Sequence, residues 1–223
     1  MPGVNRYFEV HHRDWDDIYS APAGSWRWRV NRHLRNAVWT RMARTLEAFS
    51  NVTDHSVLDV GCGTGELGIR LAERGAARVL GIDAADSMVG IAAAHAIRRG
   101  VAAACEFVRD DFLSHDFGPE TFEYPAALGV LDYVDDAAGL LGRLWSLTRT
   151  RMVVSLPEAV PPRCWLRRAW HGLHGSRLYY YTRADAGRLA TRLSPAALWA
   201  LHSIPGSDRT HLLVCDVSPG ARP

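Results

Sequence analysis

Nine residues, Val57-Leu58-Asp59-Val60-Gly61-Cys62-Gly63-Thr64-Gly65, limit what this chain can fold into more than any others. Val57 to Val60 reads as a buried strand following a turn-like Ser50-Asn51-Val52-Thr53-Asp54, and Glu66 to Arg74 as a short helix stopped by Gly75. The glycines between strand and helix permit positive φ and let a ligand approach the backbone where a side chain would block it. The helix that follows offers unpaired N–H groups at its start. Strand, glycine loop and helix in this order form the opening unit of a parallel α/β sheet.

The alternation continues downstream. Arg78–Asp83, Cys105–Arg109, Phe122–Leu128 and Arg151–Leu156 read as strands, with helices over Asp86–Arg99, ending at Gly100, and over Ala137–Leu147. Ala197–Ile204 and His211–Val217, joined by Pro205-Gly206-Ser207-Asp208, read as an antiparallel pair. Upstream, Val30, Leu34, Val38, Met42 and Leu46 mark one stripe of an amphipathic helix over 26–49. The expected fold is a Rossmann-like, seven-stranded, mostly parallel sheet with an antiparallel last strand, helices on both faces and an N-terminal helical cover. One domain spans 1–223: cover 1–50, ligand-binding core 51–156, an irregular lid or binding insertion 157–182, and a C-terminal helix with the strand pair 183–223.

Composition narrows the chemistry. A length of 223 residues suits one domain, and a net charge of +2 does not advertise a nucleic-acid or membrane-surface protein. All 26 basic residues are arginine, so Schiff-base chemistry and a P-loop lysine are excluded. Cys62, Cys105, Cys164 and Cys215 are too scattered for a disulfide scaffold or a zinc site. The polar opening carries no signal-peptide core, and no apolar run is long enough to span a bilayer. A cytoplasmic protein with no membrane partner is expected.

Asp83 closes the second strand eighteen residues beyond Gly65, where a carboxylate can accept both hydroxyls of a ribose. The ligand need not be a dinucleotide. The glycine spacing departs from GxGxxG, and Glu66 at the helix start would repel a pyrophosphate, with Asp59 adding a second negative group. Acids around such a loop suit a cationic, phosphate-free nucleoside; S-adenosylmethionine is one.

VLDVGCGTG (57–65), VLGIDAADSM (79–88), FVRDDF (107–112) and LGVLDYVDD (128–136) resemble, in order, four motifs of class I S-adenosylmethionine-dependent methyltransferases of the small-molecule type. The resemblance runs from about 55 to 156, and the final strand pair matches as well. The opening YFEVHHRDWDDIY (7–19) is similar to the segment that folds over the cofactor in members that methylate porphyrin carboxylates or quinone precursors. It implies that Gly61, Cys62, Gly63 and Gly65 form the loop around the methionine part, with Asp59 reaching the amino group through water. It implies that Asp83 holds the ribose, that Ala84, Met88, Asp111 and Phe112 bracket the adenine, and that Gly129 lies near the amino group. One departure is Glu123-Tyr124-Pro125: a proline there removes a ladder bond, so the fourth strand should begin late or kink. Taken alone, the glycine loop is also compatible with a tight turn that binds nothing, and Cys62 reads as a small loop residue rather than an activated thiolate.

Methyl transfer from a sulfonium is an in-line displacement in which a dedicated base is optional. Candidate proton acceptors are His11, His12, Asp132, His171 and His174, with Tyr133 as an orienting group; Asp132, His12 and Tyr133 are the catalytic candidates, each also compatible with a cap or surface role. His171 and His174 have no carboxylate to complete a metal site, so no metal is expected. Aromatic residues gather in the two non-core regions, and Trp15, Tyr19, Tyr133, Trp165 and Tyr180 are candidates to wall an apolar or aromatic substrate, or simply to pack. Arg163, Arg167, Arg168 and Arg177 suit a substrate anion or a solvated face. The absence of Asn-Pro-Pro-Tyr or Asp-Pro-Pro-Tyr disfavours adenine-amino or glutamine-amide acceptors, which leaves a small molecule methylated on oxygen or nitrogen in preference to carbon. The alternatives are a nicotinamide-dependent oxidoreductase and a non-catalytic S-adenosylmethionine-binding regulator; RNA is a minor one, and a homodimer remains open.

Overall fold

Period-two burial along the strands puts one apolar set on each face of a seven-stranded sheet. The structure, a computed structural model, describes residues 9, 36–173, 177–193, 197–204 and 209–218. In chain order the strands are β1 (Ser56–Val60), β2 (Arg78–Asp83), β3 (Cys105–Arg109), β4 (Tyr124–Ala127), β5 (Arg151–Pro157), β6 (Ala197–Ile204) and β7 (Thr210–Val217). Among the described residues the helices are α1 (Asn36–Ala48), α2 (Glu66–Glu73), α3 (Asp86–Arg98), α4 (Ala137–Ser146), α5 (Arg163–Leu173) and α6 (Arg183–Leu193).

The strand order is β3-β2-β1-β4-β5-β7-β6, parallel except for β7, which runs antiparallel to both β5 and β6. The sheet is therefore the mixed, seven-stranded one expected. On one face Leu58, Val60, Leu80 and Ile82 pack with Leu140, Leu141 and Leu144 of α4 and Ala186 and Ala190 of α6. On the other, Val57, Val79 and Val153 pack with Met42 and Leu46 of α1 and Leu67 and Leu71 of α2. Asp59 shares the face of Val57, so the strand period aims its carboxylate toward α1 and α2.

Two local expectations change. The fourth strand is shorter than 122–128 and starts late: β4 pairs with β5 only at Ala126 and Ala127, beyond Pro125, whose missing N–H cannot join the ladder. The insertion 157–182 is not irregular throughout, because it contains α5. Its helical period is present in the sequence, with apolar residues at 165, 166, 169, 170 and 173. The N-terminal stripe is described from Asn36 onward; Val30 and Leu34 lie outside the described residues.

Candidate cofactor site

The sequence order reverses between β1 and β4, and open α/β sheets bind ligands at such a point, outside the carboxyl ends of the strands. A cavity of about 230 Å³ opens there, beyond the ends of β1 to β4.

Its floor is the glycine loop. The backbone leaves β1 with Gly61 at φ 65° and Gly63 at φ 53°, both in the left-handed region. A Cβ at Gly61 would stand 2.4 Å from Val130 Cγ2, whereas nothing lies within 4 Å of one at Gly63. Gly61 is thus required by the neighbouring loop, while Gly63 leaves open space on the cavity. Gly65 packs against Ala92 and Phe107 and does not wall the cavity.

Asp83 ties this loop to the end of β2. Its Oδ2 accepts from the Gly63 N–H at 2.8 Å and its Oδ1 from the Ala85 N–H at 2.9 Å. Burial raises the Asp83 carboxyl above its ordinary range, against the lowering effect of these bonds. Just beyond, Glu9 accepts from the Asp86 N–H at 2.6 Å at the start of α3.

Asp59 is 3% exposed. Burial pushes its carboxyl up to about 7, opposed by a backbone N–H of Gly68. Its Oδ2 is buried without a hydrogen-bond partner, as is Oγ1 of Thr64, which lines the same cavity. A buried carboxylate oxygen left unpaired is costly, so this one is set to meet a donor that enters the cavity. Burial and the nearby Asp59 and Asp83 push the Cys62 thiol well up, which keeps it protonated and fits a small loop residue rather than a thiolate. Glu66 also reaches the cavity, but it is paired with Arg70 at 2.5 Å and Arg99 at 2.9 Å. Its repulsion of a pyrophosphate is correspondingly weaker than the sequence suggested, and that discrimination falls to Asp59 and Asp83.

The opposite wall comes from α1 and the loop after β4. Val38, Arg41 and Met42, at the helical spacing i, i+3, i+4, reach the cavity. The Arg41 guanidinium lies over Gly129: a Cβ there would stand 2.7 Å from Arg41 Nη2. Gly129 is held in place by its N–H, which donates to Ser155 Oγ at 2.8 Å. Arg41 is the residue the sequence reading missed. Its position one turn from Val38 and beside Met42 on the predicted stripe was the available signal.

Asp59, Gly61, Cys62, Gly63, Asp83, Ala84, Met88, Asp111, Phe112, Gly129 and Tyr133 all wall this one cavity. Asp132 does not; its Oδ2 pairs with Arg167 of α5 at 3.3 Å, and burial raises its carboxyl against the pull of Arg167 and Arg41. Tyr133 is buried, and its ring lies 5.7 Å from that of buried His171 on α5. Trp165 is 63% exposed and away from the cavity. Tyr180 stacks under Arg168 at 5.1 Å, also outside the cavity. His11, His12, Trp15, Tyr19 and His174 lie outside the described residues.

Comparison with known proteins agrees with this architecture. Residues 57–150 match the family model described as a methyltransferase domain. The ubiquinone biosynthesis O-methyltransferase of Pseudomonas fluorescens (strain SBW25) is 33% identical over 91 residues, 41% of this chain and 38% of that protein. The chain thus spans well under half the length of the curated relatives it matches. The magnesium protoporphyrin IX methyltransferase of Synechocystis PCC 6803, solved with bound SAH, aligns at a TM-score of 0.75 and 23% identity over 96% of this chain and 98% of that one. The [4+2]-cyclase SpnF aligns at 0.73 and 14% identity over 97% and 96%. At these identities the structures establish the fold. A sheet of this order with a glycine loop at its switch point is the class I methyltransferase fold. Residues 57–150 thus match a methyltransferase domain, set in a sheet with the fold of class I methyltransferases.

Proposed function

We propose that this protein binds S-adenosylmethionine in the cavity and directs its methyl group to an oxygen, or secondarily a nitrogen, of a small-molecule acceptor. When bound, the cofactor supplies a methyl group activated by its sulfonium. The observation that carries the reading is the pairing, across one cavity, of the orphaned Asp59 Oδ2 with the Arg41 guanidinium. One anion and one cation facing the same space suit the ammonium and carboxylate of an amino acid. Asp83 retains acceptor capacity for a ribose diol after meeting its two backbone donors. Ala84, Met88, Asp111 and Phe112 offer an apolar slot with one acid for an adenine.

On the acceptor side the walls are Val38, Met42, Leu128 and Tyr133, and their task is to orient an apolar or aromatic molecule and keep water out. Tyr133, braced by His171, is the group placed to orient the accepting atom. The preference for oxygen is supported by the curated relatives, which are O-methyltransferases. The test is incubation with methyl-labelled S-adenosylmethionine and a panel of phenols, carboxylic acids and amines, read by mass spectrometry. Labelled methyl ether or ester is expected. Binding of S-adenosylhomocysteine without transfer to any acceptor would leave a cofactor-binding protein and overturn the catalytic reading.

A further inference from the structure

Helix α5 has two opposed faces. Cys164 and His171 are buried and Arg167 is half-buried, so positions i, i+3 and i+7 face the loop after β4. On the other side Trp165 is 63% exposed, Leu166 69%, Trp170 53% and Leu173 83%. At 100° per residue these four, with exposed Ala169 among them, fall within one arc less than half the helix circumference. They account for four of the eight strongly exposed large apolar side chains among the described residues, gathered on eleven residues of chain. A concentration of that kind marks a contact surface, since single exposed apolar residues are ordinary and clusters are not.

The charge around it selects the partner. From Ala159 to Ala184 the chain has five arginines, at 163, 167, 168, 177 and 183, and no Asp or Glu. Arg168 and Arg177 are exposed. A helix with Trp and Leu on one face, arginine at the border and no acid suits the plane of a bilayer interface, with Trp at headgroup depth and arginine on anionic headgroups. A second copy of the chain fits less well. A two-fold contact through this face would set the same basic segment against itself with no acid from 159–184 to answer it.

We infer that α5 is an in-plane docking helix that seats this protein on an anionic membrane surface. No described helix is long and apolar enough to cross a membrane, and the seat proposed lies on the bilayer, not through it. The near-neutral net charge argued against a membrane partner because a whole-chain sum does not register one face of one helix. The position is informative. Arg167 pairs with Asp132, and His171 packs on Tyr133, which walls the cavity, so the docked face lies one helix thickness from the acceptor side of the site. An apolar acceptor held in the bilayer would then lie on the side of the molecule that carries the acceptor walls. That last step rests on the proposed methyl transfer, whereas the docking does not.

The test is sedimentation of the full chain with vesicles of phosphatidylcholine alone and with 30 mol% phosphatidylglycerol, together with analytical ultracentrifugation without lipid. At least a roughly tenfold preference for the anionic vesicles is expected, lost on raising the salt and reduced about tenfold in Leu166→Ser/Leu173→Ser and severalfold in Arg168→Gln. Both leucines are on the exposed face, and an unchanged melting temperature for each variant confirms that the fold is intact. Equal binding to both vesicle types, no binding to either, or an unaltered affinity in the folded leucine variant overturns the proposal. A dimer without lipid that the leucine variant dissolves assigns the face to a second copy and overturns it too. None of these readouts uses the cofactor, so a failed methylation assay and a failed docking assay remain separate results.

Discussion

The two walls of the cavity hold their polar groups by different means. Along β1 and β2 the carboxylates sit on strands, and Asp83 bonds to the backbone of Gly63 and Ala85. On the far wall the polar group is a long side chain, Arg41 from α1, lying over Gly129 in the loop after β4, and just outside the cavity Arg167 of α5 reaches the same loop at Asp132. The first wall is fixed by secondary structure and tolerates little change. The second is assembled from tertiary contacts, where an arginine loses more rotamer freedom on being held and gives way more readily. In the proposed function, recognition of the cofactor falls to the first kind of wall and selection of an acceptor to the second.

The largest effect should come from Asp83→Ala. Removing a carboxylate that fixes the loop and that the proposed function assigns to the ribose is expected to weaken S-adenosylhomocysteine binding by about 100-fold or more in calorimetry. Retained affinity would show that the strand wall is not the anchor. Gly61→Ala comes next, because it forces a side chain into the left-handed region and against Val130; thermal unfolding should register a loss of about 2 kcal/mol. Arg41→Ala probes the other wall, with an expected drop of about tenfold in cofactor affinity and no change in melting temperature. A lowered melting temperature there would erase the contrast between the walls.

The smallest effect is a proton. The Asp59 carboxyl, pushed up to about 7 from 3.8, favours the fold in its protonated form. Its contribution to stability is full below the unfolded value and is lost as the pH rises through about 7. The unliganded protein should therefore lose melting temperature between pH 4 and pH 8, and Asp59→Asn should flatten that slope while impairing cofactor binding. A cation entering beside Asp59 would ionise it. Calorimetry at pH 7 in buffers of different ionisation enthalpy should then detect release of about half a proton. No release would mean that the cation sits elsewhere.

Contacts short in sequence were readable in advance. The glycine loop, the acid at the end of β2 and the late start of β4 at Pro125 follow from local rules of backbone freedom and hydrogen bonding. Arg41 was not read, although its place on the stripe was visible, because nothing within α1 says which of its neighbours will meet Gly129. Helix α5 carries an apolar stripe at ordinary helical spacing, and what spacing alone does not give is that this stripe faces out.

The order of residues along the chain was enough to determine the alternation of strands and helices, the glycine loop and the acid that closes β2, because each depends on local periods and on the residues that end an element. The folded molecule alone decided which arginine lies over Gly129, that Asp132 is committed to Arg167, and that the apolar side of α5 is the exposed one. Those outcomes join residues from 35 to 88 positions apart, and chain spacing places no limit on which of many such pairs will meet.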